Sequence, residues 1–122
     1  MQFSKSLKEN SQFRRLYARG SSAVDPLLVI YCRKNNAACN RVGITVSKKL
    51  GHAVVRNRIR RRLREIYRLH EAEFRCGFDL VIVARGRAVD ASFARLERAF
   101  LSLSGRLGLL AEKRESPENP AP

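Results

Sequence analysis

The sequence predicts an α/β fold, an α+β two-layer sandwich in which helices pack on one small sheet in the order α-β-β-β-α-β-α. Three observations predict it. Apolar residues alternate with small or polar ones from Arg41 to Ser47, run almost unbroken from Phe78 to Arg85, and recur at helical spacing in three other stretches. A chain of 122 residues, 44% of them apolar, can bury the core of one domain but hardly of two. Residues 1–111 are therefore expected to form one domain. Residues 112–122, with three prolines and mixed charge, are expected to form a tail without fixed structure.

The first helix follows from Asn10 as a cap candidate, Phe13, Leu16 and Tyr17 at i, i+3, i+4, and Gly20 as a stop. A short strand near Ser21 to Val24 is a further candidate. Leu27 to Lys34 is an apolar, β-branched run, and the loop from Asn35 to Asn40 joins it to the strand Arg41 to Ser47. In that strand Val42, Ile44 and Val46 share one face, while Gly43, Thr45 and Ser47 make the other too small and polar to carry a hydrophobic layer, so it is expected to stay open. Alternation puts Tyr31 and Arg33 on one side of the earlier strand and Leu28, Ile30 and Cys32 on the other. It leaves unresolved which side faces the core. A second helix is expected from about Ala53 to about Phe74, a buried strand from Phe78 to Arg85, and a third helix capped by Asp90 or Ser92. In the third helix Phe93, Leu96, Phe100, Leu103 and Leu107 line one face.

The second helix carries the chemistry. At about 100° per residue, Val55, Ile59, Leu63, Ile66 and Tyr67 fall within about 120° of arc. Asn57, Arg58, Arg60, Arg61, Arg62, Arg64 and Arg68 fill the rest, with Glu65 the sole acid among them. Arg56 falls inside the apolar stripe, but near the helix start, where its side chain can turn back to the preceding loop. A soluble structural helix mixes signs to gain i,i+4 pairs, whereas Arg60/Arg64 and Arg64/Arg68 are like-charge pairs costing a few tenths of a kcal/mol each. An external polyanion is the compensation this pattern calls for. The whole chain agrees, with 25 Lys and Arg against 11 Asp and Glu and a net charge of +14. Nineteen of those cations are arginine, which forks onto phosphates. Ahead of the helix, Lys48, Lys49, Gly51 and a helix N-terminus make a corner suited to phosphate.

Other function classes find little support. Asp25, Asp79 and Asp90 stand without paired carboxylates or a ligand cluster, and His52 and His70 lack an evident orienting partner, so no catalytic residue is assigned to the protein and no cofactor or metal is expected to be held by a protein motif. Three cysteines, Cys32, Cys39 and Cys76, without a Cys-x-x-Cys spacing argue for reduced thiols rather than a disulfide framework or zinc site. No run of about 20 apolar residues and no signal-peptide pattern is present, so a cytoplasmic protein with no membrane association is expected.

The residues Arg41-Val-Gly-Ile-Thr-Val-Ser-Lys-Lys-Leu-Gly51, followed by Ala53-Val-Val-Arg-Asn-Arg-Ile-Arg-Arg-Arg-Leu-Arg-Glu65, resemble the signature of the bacterial ribonuclease P protein family. Arg56-Asn57-Arg58 would mean little alone; after the Ser-Lys-Lys loop at the family's spacing it is specific. The resemblance extends over about Leu7 to Leu110. Asn10 to Gly20 is similar to the family's first helix, Tyr31 to an aromatic of the adjoining strand, and Ile82-Val-Ala-Arg85 to its last strand. Arg60 stands where the family commonly has lysine, and Gly86-Arg87 where it commonly has Lys-Pro, which weakens any assignment at that corner.

The resemblance implies a mixed sheet whose helix after the Ser-Lys-Lys loop is reached by a left-handed crossover, against the right-handed rule. It implies a protein subunit of a ribonucleoprotein endoribonuclease that removes the 5′ leader of precursor tRNA, with catalysis in the RNA subunit and its Mg²⁺, and no obligate protein partner. Lys48, Lys49, Arg56, Asn57, Arg58, Arg60, Arg61, Arg62, Arg64 and Arg68 would bind the catalytic RNA. Phe13, Tyr17, Tyr31 and Arg85 would bind the single-stranded leader, since aromatic platforms and backbone cations grip single strands. Periodicity alone instead places Phe13 and Tyr17 in a core stripe. A ribosomal-type structural RNA-binding protein is the alternative that charge alone allows.

Overall fold

A computed structural model describes residues 5–7 and 10–111 of the chain. The strands are β1 (Lys5–Ser6), β2 (Ser21–Val24), β3 (Leu28–Lys34), β4 (Arg41–Thr45) and β5 (Phe78–Ala84), and the helices are α1 (Asn10–Arg19), α2 (Ala53–His70) and α3 (Phe93–Arg106). They form one mixed sheet ordered β1-β4-β5-β3-β2. Strands β1, β4 and β5 are parallel, β3 runs antiparallel to β5, and β2 antiparallel to β3. The expected α-β-β-β-α-β-α order is present, preceded by the two-residue β1, which is too short to leave a periodic signal. The expected tail, residues 112–122, lies outside the described residues, as does the side chain of Asn10.

Boundaries moved where local chemistry intervened. α2 stops at His70, not Phe74, and Glu71–Glu73 tighten into a 3₁₀ turn. At that point His70 turns to Glu97 on α3 and to Glu73, with Nε2 and Nδ1 at 2.7 and 3.1 Å from their carboxylates. Phe74 leaves the helix to pack edge-on against Tyr67 and stacked against Phe100. Of the two proposed caps for α3, Ser92 accepts from the Arg95 N–H, whereas Asp90 closes the preceding 3₁₀ turn. Leu107 falls just past the end of α3 but still packs on the core.

One face of the sheet holds the main core. Leu28, Ile30, Val42, Leu80 and Ile82 meet Ile59, Leu63, Ile66 and Tyr67 of α2 and Leu96, Phe100 and Leu103 of α3, nearly all of them fully buried. At about 1.5–3 kcal/mol per large side chain, this burial dominates the stability of the fold. A buried amide joins the ends of three elements. Asn40 donates to the Tyr67 hydroxyl and the Arg75 carbonyl, and its Oδ1 accepts from the Phe78 N–H at 2.9 Å. α1 crosses the opposite face, where Leu16 and Val81 are buried with Leu7.

The hand of the β4-α2-β5 crossover follows from one hydrogen bond. In an L-chain seen with its strand running upward and a side chain toward the viewer, that residue's C=O points right. Val42 faces α2, and its carbonyl accepts from the Leu7 N–H beside β1 at 2.9 Å. Seen from the α2 side, β1 therefore lies right of β4 and β5 left of it. The chain rises in β4, passes forward through α2 and moves left into β5. That crossover is left-handed, the uncommon sense for parallel strands. The Leu28 carbonyl, which accepts from the Asp25 N–H on the β2 side, gives the same ordering.

Gly43 is buried, which corrects the expectation that its whole face stays open. A Cβ there would stand 2.7 Å from Cε1 and Cζ of Phe13 and 3.3 Å from Cβ of Leu7, so the missing side chain is what lets the Phe13 ring lie on the sheet. Gly43→Ala should destabilise the fold by about 1–3 kcal/mol through overpacking. Urea unfolding should show much of that loss recovered in Gly43→Ala/Phe13→Leu; no recovery would mean that the ring is not what the methyl strikes.

The His70 link makes stability depend on pH. Burial disfavours the imidazolium, but the hydrogen bonds it donates to Glu97 and then Glu73, with their charges, outweigh it and hold the His70 pKa above its ordinary 6.5. The native state thus retains this proton more tightly than the unfolded chain. The contribution is complete below about pH 6.5 and fades as pH rises through the raised native value. His70→Ala should cost about 1–2 kcal/mol at pH 6 and less at pH 8, measured by urea midpoints; a pH-independent cost would count against the link.

Candidate nucleic-acid interface

α2 is built from its buried stripe outward. With Ile59, Leu63, Ile66 and Tyr67 sealed against the sheet, its arginines are forced to the sides and top. They are not equivalent there. Arg62 reaches inward on the α3 side, where Nη1 donates to the Ala91 carbonyl at 3.0 Å. Arg68 grips Glu65 bidentately, and this hydrogen-bonded pairing lowers the Glu65 pKa and raises that of Arg68. Arg60 donates to Asn57 at 3.2 Å. Among the described residues no acid pairs with Arg58, Arg61 or Arg64. The predicted plate therefore has a free part at Arg58, Arg61 and Arg64 and a part already engaged at Arg62 and Arg68.

The loop before the helix is tightly made. Ser47 Oγ accepts from the Lys49 N–H at 3.1 Å and caps the 3₁₀ turn Lys48–Leu50. Arg56 turns back as its wheel position requires, and Nε donates to the Gly51 carbonyl at 3.1 Å. Lys48 and Lys49 are left exposed on a short rigid turn, beside an α2 N-terminus whose N-cap His52 makes no side-chain cap.

Strand register settles the side of Tyr31. Across the α1 face, Gly43, Val81 and Tyr31 form one row, and Thr45, Val83 and Val29 the next. Phe13 and Tyr17, one turn apart, lie on the flank of α1 toward that second row. Tyr17 meets Tyr31 edge-on with centroids 4.9 Å apart, and its hydroxyl stands 3.4 Å from Thr45 Oγ1. Tyr17 is 43% exposed, and Tyr31, Thr45, Val83 and Val29 are all half-buried. This strip of the sheet is thus half open, with two tyrosines along its border. Phe13 is half-buried on Gly43 and lines a crevice of about 170 Å³ with Arg60 and Arg64 of α2. Its place in the core and its reach toward the basic helix are both real. Arg85 follows β5 directly, on the same face by alternation, exposed, with Nη1 donating to the Asp25 carbonyl at 3.1 Å.

Two features were hidden from sequence. Val83 and Val29 read as core strand residues, and only register shows them beside Thr45 on the half-open strip. The approach of Arg60 and Arg64 to Phe13 joins positions that no local pattern connects. Among the described residues no cluster of three His, Cys, Asp or Glu could hold a metal ion, and no helix is long and apolar enough to cross a membrane. The cysteines are unpaired, and burial raises the Cys32 pKa.

The family profile described as Ribonuclease P matches residues 1–108. The chain is 40% identical over 111 residues to the ribonuclease P protein component of Alkaliphilus metalliredigens, covering 91% of this chain and 100% of that one. It is 43% identical over 103 residues to that of Clostridioides difficile, covering 84% and 90%. In three dimensions it is similar to the RNase P protein of Staphylococcus aureus, with a TM-score of 0.81, 31% identity and coverage of 87% and 97%. The RNase P protein of Thermotoga maritima follows at TM-score 0.74 and 28% identity, with coverage of 80% and 93%. With its left-handed crossover, arginine-faced second helix and matched sequence, the chain belongs to the ribonuclease P protein family, the protein component of a ribonucleoprotein endoribonuclease.

Proposed function

We propose that this subunit docks on the RNA of ribonuclease P through α2 and the loop before it, and receives the single-stranded 5′ leader of precursor tRNA on the half-open strip beside α1. The observation that carries the reading is the Tyr17–Tyr31 pair, exposed at Tyr17 and half-buried at Tyr31, beside the row Thr45, Val83 and Val29. Two rings bordering a half-open strip are platforms for unstacked bases, and base–aromatic stacking contributes about 1–3 kcal/mol per base. Phe13 holds the Gly43 end of that strip and meets the Arg60/Arg64 flank of α2. Arg85 stands at its far end. Lys48, Lys49, Arg56, Asn57, Arg58, Arg61 and Arg64 form the surface toward the catalytic RNA, while Arg62 and Arg68 chiefly order α2.

In this reading the chemistry belongs to the RNA. Hydrolysis of a phosphodiester with Mg²⁺ needs clustered ligands, and the dispersed carboxylates of the described residues do not suit that role. The protein contributes affinity and neutralises phosphates where leader and catalytic RNA converge, a place that would otherwise need more Mg²⁺. Reconstitution with the cognate RNA should lower the Mg²⁺ required for cleavage of precursor tRNA. A ribosomal-type role is not favoured by the family match. Work in the bacterial cytoplasm fits these partners.

Two outcomes separate the surfaces. Arg58→Ala/Arg61→Ala should weaken binding to the catalytic RNA and flatten the slope of log K against log salt by roughly one to two; an unchanged slope would place the RNA elsewhere. Tyr17→Ala and Tyr31→Ala should each reduce the preference for precursor over mature tRNA by about 1–3 kcal/mol, with catalytic-RNA affinity intact. Equal losses for precursor and mature tRNA would make the tyrosines structural.

A further inference from the structure

A basic basin of about 260 Å³ lies on the other flank of α1, away from the tyrosines. Arg15 and Arg19 of α1 and Arg33 and Lys34 of β3 line it, with Arg41 and Asp79 at its floor. Asp79 is the one carboxylate among the lining residues, and Arg41 already holds it bidentately at 2.7 and 2.8 Å while Asn35 donates to it at 2.9 Å. Among the described residues no acid pairs with Arg15, Arg19, Arg33 or Lys34. Four uncompensated cations around one concavity repel one another, and the occupant that relieves this is a polyanion.

Position identifies which polyanion. Tyr31 and Arg33 are two residues apart on the same face of β3, about 6.8 Å along the strand. α1 stands between the strip and the basin, and at its C-terminal end Gly20 closes onto the sheet, so near the Cys32 carbonyl that a Cβ would lie 2.8 Å from its oxygen; the lowest crossing is over this junction, which carries no side chain. A single strand stacked on Tyr17 and Tyr31 that crosses over this junction reaches Arg19, Arg33 and Lys34 in the basin on its other side. The basin also sits at the N-terminal ends of β4 and β5, the end of the sheet opposite Arg85 and the Lys48–Lys49 turn. A leader entering from the RNA side therefore reaches the basin last. Resting on the leader reading above, we infer that Arg15, Arg19, Arg33 and Lys34 bind backbone phosphates of the distal, 5′-ward part of the leader, beyond the nucleotides stacked on the tyrosines.

The test is a titration of fluorescent precursor tRNAs, with leaders lengthened one nucleotide at a time, against the reconstituted holoenzyme under non-cleaving conditions. Wild-type affinity should rise in two steps, the first when the leader reaches the tyrosines and the second when it reaches the basin. Arg33→Ala/Lys34→Ala on the strand and, independently, Arg15→Ala/Arg19→Ala on the exposed helix face should each lose the second step, roughly tenfold, and keep the first. The helix pair guards against misfolding, because alanine is the best helix former. A first step without a second in the wild type would overturn the basin assignment alone, and absence of both would remove the leader reading with it. Equal losses at every leader length, or for the catalytic RNA by itself, would show that the basin serves another RNA segment and would overturn the assignment too.

Discussion

The burial of one stripe of α2 against the sheet is the interaction on which the rest of this protein depends. Ile59, Leu63, Ile66 and Tyr67 are each no more than 1% exposed. At about 1.5–3 kcal/mol apiece they contribute on the order of 6–12 kcal/mol before entropy is counted. The helix they anchor carries seven arginines against one glutamate. Each like-charge i,i+4 pair costs only a few tenths of a kcal/mol. Hydrophobic burial therefore wins by an order of magnitude, and the protein can hold a concentrated positive surface by itself.

That stripe needs a rigid partner, and β5 provides it at the centre of the sheet. Leu80 and Ile82 face α2 and α3, while Val81 lies under Leu16 of α1, so the strand is apolar on both sides. The covering is unequal. Two helices fill one face, whereas the ten residues of α1 cross the other and leave the row Thr45, Val83, Val29 half open. A short helix over a full-width sheet creates two flanks. One is aromatic and half apolar; the other is cationic.

Cations that look alike in composition have different duties in the fold. Arg41 neutralises Asp79, Arg68 neutralises Glu65, Arg56 braces the Gly51 turn and Arg62 ties α2 to the segment before α3. Others, including Arg58, Arg61 and Arg64 on α2 and Arg15 and Arg19 on α1, have no acidic partner among the described residues. The excess charge is thus concentrated in separate areas, one on α2 and one on the flank of α1. His70, bridging Glu73 and Glu97, shows the opposite case, in which polar groups that look isolated along the chain are joined by packing.

The sequence by itself determined the elements whose signal is local. Period-3.6 spacing placed α1, α2 and α3, period-2 alternation placed β4, and the order of arginine and apolar residues divided α2 into stripe and plate down to the backward turn of Arg56. The spacing of Ser47-Lys48-Lys49 before Arg56-Asn57-Arg58 also carried the family. Tertiary structure alone decided what depends on register and approach between distant segments. Which side of β3 Tyr31 occupies, how Phe13 fits over Gly43, and where α2 yields to His70 all rest on contacts more than two dozen residues apart. The hand of the crossover is visible only in hydrogen bonds between neighbouring strands or their ends, such as that from Leu7 to Val42. Periodicity reports which residues share a face of one element; it carries no information about which other element covers that face, and at α1 that covering separates buried Leu16 from half-open Tyr17.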